Sequence, residues 1–99
     1  MPGVRVEIVR YTSDWQPGFV ECRFMDLGGR VWSFEEKAPI VTDESLGENT
    51  EYPRPGVIGC VVLERSEVGA RVSIDHLCEG SEIFAESIEC EVAASILVD

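Results

Sequence analysis

Only one histidine, His76, is available for acid–base or nucleophilic chemistry, and Asp75 precedes it. Consecutive residues of a strand point to opposite faces, so Asp75 is badly placed to orient the His76 ring. Ser73, Ser81 and Ser87 carry the hydroxyls nearest to it in sequence, and none lies in a Gly-x-Ser-x-Gly elbow. Metal chemistry is equally thin. His76, Cys78 and Glu79 are neighbours, but a zinc site draws about four ligands, normally as two close pairs, and the second pair is missing. Asp43, Glu44, Glu48 and Glu51 invite a calcium reading, yet the spacing of a calcium loop is absent and an acidic, solvated loop is expected instead. Glu35 and Glu36 are adjacent and therefore diverge in a strand, while Gly28-Gly29 lacks the spacing of a phosphate-binding loop. These residues predict a protein that is not an enzyme and that holds no metal and no cofactor.

Side chains suited to binding are better represented. Trp15 flanks a Pro17-Gly18 turn, and Tyr52 lies beside Arg54 in a proline-rich stretch. Loop aromatics of this kind are the usual anchors of interaction hot spots. Carboxylates are abundant: 19 acids face 8 basic residues, for a formal charge of −11. Their distribution is uneven. Residues 1–71 hold twelve acids and all eight bases, whereas 72–99 hold seven acids and no Lys or Arg. Glu79, Glu82, Glu86, Glu89 and Glu91 therefore form the expected contact set for a basic protein partner, with Trp15 and Tyr52 as anchors. The same field repels phosphate backbones and anionic membranes, so neither nucleic acid nor membrane is an expected partner. A homodimer is compatible with a sheet protein of this size.

These groups must be positioned by strands. Residues 4–11 alternate, with Val4, Val6 and Ile8 on one face and Arg5 and Glu7 on the other. Residues 19–25 alternate again, Asp26-Leu27-Gly28-Gly29 supplies turn chemistry, and Trp32 and Phe34 share a face of the return strand, predicting a β-hairpin over 19–35. Residues 36–56 break the pattern. Thr42 or Asp43 is a candidate cap for a single helical turn ending at Gly47, and a loop this long is often functional. Val57–Glu64, apolar on both faces, is expected to be the central strand. Residues 71–75 and 88–92 read as two further strands, and 93–98 as either a strand or a short helix. The sum is one domain, 1–99, of an all-β class: a small antiparallel barrel or sandwich of five to seven strands with at most one short helix. Cys22, Cys60 and Cys90 each fall within an apolar strand pattern, which predicts reduced, core-packed thiols. No apolar run approaches the roughly 20 residues of a membrane span. The opening MPGVRVEIVRY shows no signal-peptide pattern, so a cytoplasmic protein is expected.

The string PGFVECRFMDLGGRVWSFEEKAPIV, followed by YPRPGVIGCVV, resembles a family of small bacterial proteins of about this length that have no assigned function. The resemblance covers residues 4–64 and carries no catalytic motif. Together these readings give an acidic protein-interaction domain, of the inhibitor or immunity type, that neutralises a basic partner. The alternative is a small β-barrel ligand-binding or accessory domain whose pocket lies under the 36–56 loop.

Overall fold

The computed structural model describes residues 2–74 and 88–99. Alternation sets the frame. Strand β1 (Gly3–Ser13) buries Val4, Val6 and Ile8 and turns Arg5 outward. Register shifts after Ile8 and after Tyr11 let this long strand bend. It pairs antiparallel with β2 (Phe19–Met25), which pairs with β3 (Val31–Lys37) to give the expected hairpin. Asp26 closes the turn: its Oδ1 accepts the amides of Gly28 and Arg30, both at 2.9 Å, and its Oδ2 accepts Trp32 Nε1 at 2.9 Å. Gly29 supplies the positive φ, 87°, that the reversal requires. Phe24 and Trp32, register partners, stack with ring centroids 6.5 Å apart.

After β3 the chain makes one helical turn, α1 (Ala38–Val41), runs through a loop, and enters β4 (Arg54–Gly59) on the other side of β1. The helical turn thus precedes the expected 42–46 position. Pro39 stands in its first turn, where a missing N–H costs nothing, and Thr42 is its C-cap rather than an N-cap.

Val57–Glu64 is not a central strand. It divides at Cys60 between β4 and β5 (Val61–Arg65), and each of the two pairs with only one strand among the described residues. Inward residues continue in step, with Ile58 and Cys60 buried, but Val57, Val61 and Leu63 on the other face remain exposed. Apolar residues on both faces therefore did not mean burial on both faces. The centre of the sheet is β1, and Pro55 fits because β4 is an edge strand.

The second sheet has the order β5-β6-β7, with β6 spanning Gly69–Ile74 and β7 spanning Ile88–Ala93. Residues 93–98 contain both expected forms: a 3-10 turn, Ala94–Ile96, then β8 (Leu97–Val98), which pairs with the start of β1. The split at Cys60 and this short β8 bring the described strands to eight, one above the expected range. Both sheets are antiparallel, and the protein is all-β. They close on one core: Val4, Ile8, Val20, Cys22 and Ile58 from the first, Val72, Ile74 and Val92 from the second, each fully buried. Leu27 N donates to Glu91 O at 2.8 Å, tying the hairpin tip to β7. No helix among the described residues is long and apolar enough to cross a membrane.

Candidate functional site

One end of the molecule gathers aromatic and acidic groups from two separate stretches of chain. The β1–β2 turn is fixed by Gly18 N donating to Trp15 O at 2.5 Å, and Gly18 adopts φ 94°. A side chain there would meet the Tyr11 hydroxyl at 2.9 Å, so the glycine lets the Tyr11 ring lie over the turn. The Trp15 amide donates to Ser13 Oγ at 3.2 Å, while the Trp15 side chain is 81% exposed. Trp15 therefore does not cover the core. An indole this free forgoes roughly 2–3 kcal/mol of burial, a burial that a partner's surface can supply.

The second stretch is the 42–53 loop, which is braced by its own contacts. Tyr52 Oη donates to Gly47 O at 2.8 Å, and the Gly47 amide donates to Thr50 Oγ1 at 3.0 Å. Arg54 grips Glu44 with two nitrogens, at 3.2 and 2.6 Å, and donates to Glu51 O at 3.3 Å. Tyr52 and Leu46 pack against the core. The two stretches meet at Tyr11. Its hydroxyl is pushed above the ordinary phenol range by partial desolvation, then by the charge of Asp14, to which it is hydrogen-bonded, and by its neighbours Tyr52 and Glu48. Exposed at this end are Asp14, Glu48 and Glu51, none held in an ion pair among the described residues, whereas Asp43 lines a groove beside Arg5.

The residues expected to form the contact set are distributed as follows. Trp15 and Tyr52 come to this end. Glu89 and Glu91 lie on the exposed face of β7, but Arg71 of β6 stands opposite Glu91 and donates to Glu89 Oε1 at 2.8 Å. Glu79, Glu82 and Glu86 lie outside the described residues, as do His76 and Cys78. No group of three or more His, Cys, Asp or Glu among the described residues converges in a way that would hold a metal ion.

Two features escaped sequence reasoning. Glu36 is fully buried in the core, its Oε1 accepting the Lys37 amide at 2.9 Å. The parity that turns Trp32 and Phe34 inward turns Glu36 inward too, so the signal was present. Burial first, and then the Glu36 charge, raises the Cys22 thiol to about 12. Burial likewise raises Cys90 to about 11, and Cys22, Cys60 and Cys90 are free thiols. Such thiols are protonated and unreactive at neutral pH. The other feature is Arg5, which stands between two open grooves on the outer face of the first sheet.

Comparison with protein-family models, with curated proteins and with solved structures finds no match for this chain.

Proposed function

We propose that this protein is an interaction domain that docks a basic protein partner through the end bearing Trp15, Asp14 and the 42–53 loop, in the manner of an inhibitor or immunity protein. The observation that carries this reading is the exposed Trp15 side chain, held on a fixed turn next to Asp14, which holds no ion pair among the described residues. An aromatic anchor ringed by charge of one sign is the form in which affinity and steering are commonly combined. The 42–53 loop is fastened before binding, which lowers the ordering cost of association. Glu91, exposed on β7, would add to the anionic surface. The arrangement suits occupation of a cationic site that normally takes phosphate, with carboxylates in place of phosphate oxygens.

The test begins with capture of the partner from native lysate at low salt, then uses the purified partner in surface-based kinetics. Trp15→Ala should raise the dissociation rate about 30-fold, as loss of a central anchor does. Its unfolding free energy should stay within about 0.5 kcal/mol of wild type, because the side chain is exposed. The double variant Glu48→Lys, Glu51→Lys should slow association about tenfold and flatten its dependence on salt. Unchanged association and dissociation in both variants would sink the reading.

A further inference from the structure

The outer face of the five-stranded sheet bears two adjoining open grooves, of about 770 and 390 Å³, and both are lined by Arg5 and Pro55. Met25 and Val31 line the larger groove, Ile40 and Val57 the smaller, and all four are exposed apolar side chains. Glu7, Arg23 and Arg54 also line the larger groove, each held in an ion pair, and Asp43 lines the smaller one. Apolar walls with a few placed polar groups, in a volume of roughly 300–1,000 Å³, are the usual form of a small-ligand site.

The charge is what selects the ligand. Carboxylates outnumber cations by more than two to one, and arginines in this molecule are normally taken up by them. Arg10, Arg23, Arg54, Arg65 and Arg71 are all ion-paired, and Arg30 lies 3.8 Å over the Trp32 ring. Arg5 has no ion-pair partner among the described residues. The register explains why: its cross-strand partner is Val57, and Glu7, two positions along the same face, is held by Arg23 at 2.6 Å. In the larger groove Glu7 is taken up by Arg23, so the Arg5 guanidinium fork, beside the apolar Met25 and Val31, is left to take one planar anion in two parallel hydrogen bonds.

We infer that this face binds a small apolar carboxylate, its acid group on Arg5 and its hydrocarbon part along the groove walls. Arg54 and Asp43 of the grooves also belong to or brace the 42–53 loop, but the Arg5 test alters neither Trp15 nor the loop, so either reading can fail without the other. Octanoate, octanol and octylammonium are the probes, each titrated into the intact protein and followed by amide-resolved NMR. Octanoate should shift Arg5, Met25, Val31 and Val57 together, about tenfold more tightly than octanol, and octylammonium should leave them unmoved. Arg5→Gln should reduce octanoate to the affinity of octanol, with melting unchanged. Equal binding of octanoate and octanol, shifts centred elsewhere, no shifts, or an Arg5→Gln protein that still binds octanoate normally would each overturn the assignment.

Discussion

Gly69 opens β6, and its place against β7 makes a sharp prediction. The Ser66 amide donates to Gly69 O at 2.9 Å and the Gly69 amide to Ser66 Oγ at 3.2 Å, so the residue is fixed at both its polar groups. A methyl group added there would sit 1.8 Å from Val92 O, 2.9 Å from Val92 C and 3.0 Å from Ala93 Cα, all backbone. Carbon and carbonyl oxygen come into contact at about 3.3 Å, so in Gly69→Ala the strands must part locally by about 1.5 Å. A ladder bond near 2.9 Å does not survive that opening. Losing one or two such bonds costs about 1 kcal/mol each. Displaced packing at Ala70 and Val92, both buried, adds about 1–2 kcal/mol. The expected total is about 3 kcal/mol, a large part of the roughly 5–15 kcal/mol that holds a domain together. At about 4–8 °C per kcal/mol, the melting temperature should fall by about 12–24 °C in calorimetry. Gly59→Ala is the control: its added methyl group meets nothing within 4 Å, and it should melt at or slightly above wild type. If Gly69→Ala melted within about 3 °C of wild type, the Gly69–Ala93 register and the closeness of β6 to β7 would be wrong.

The buried thiols and the hairpin carboxylate make two further predictions. In a Cys78→Ser protein, native Cys22 and Cys90 should react with iodoacetamide at about pH 8 at least about 100-fold more slowly than in denaturant, because burial keeps them protonated. Their pKa values are raised, so the stability they contribute is complete below their unfolded value of 9.0. It is lost as pH climbs toward about 11 for Cys90 and about 12 for Cys22, which alkaline melting curves will show. Asp26 is shifted the other way: the Trp32 indole bond, then the Arg30 and Gly28 amides, hold its carboxyl below its usual 3.8. Its contribution is present above that value and lost as pH falls through the lower folded pKa. Asp26→Asn should thus flatten the acid limb of the stability curve, and a carboxyl titrating at an ordinary value by NMR would contradict the turn geometry.

Strands that bury one face and wet the other were legible because their side-chain period is two. Val4, Val6 and Ile8 in β1, Val20, Cys22 and Phe24 in β2, and Cys90 and Val92 in β7 all face inward as alternation requires. Edges were not legible. A strand bordered by one neighbour carries the same inward residues as one bordered by two, and the exposed Val57, Val61 and Leu63 mimic a second buried face. Glu36 was obscured by chemistry rather than by pattern, since its charge argued for water while its parity argued for the core. The candidate site divides in the same way. Trp15 and Tyr52 were recognisable as loop aromatics. The meeting of Asp14, Tyr11 and Glu48 depends on how the 42–53 loop folds back, and local sequence does not encode that directly. Arg71 sits eighteen positions from Glu89, so the pairing that tempers the β7 carboxylates becomes visible only in register.

The arrangement of charge has a kinetic consequence that separates the two kinds of anchor. Five arginines are each tied to a carboxylate, so most of the positive charge is cancelled at short range and the surplus is left to act at a distance. At physiological ionic strength that field is felt over about 8 Å, beyond which it is screened. On the proposed reading, Asp14, Glu48 and Glu51 would act while a partner approaches, and added salt would weaken them. On the same reading Trp15 would act only on contact, through apolar burial that salt does not screen. A cationic partner should therefore associate more slowly as salt rises while its dissociation hardly changes, and Trp15→Ala should do the reverse. A partner recognised by shape alone would show neither the salt dependence nor the separation. If charge reversal in the loop altered dissociation and left association untouched, the carboxylates would be contact residues rather than steering ones.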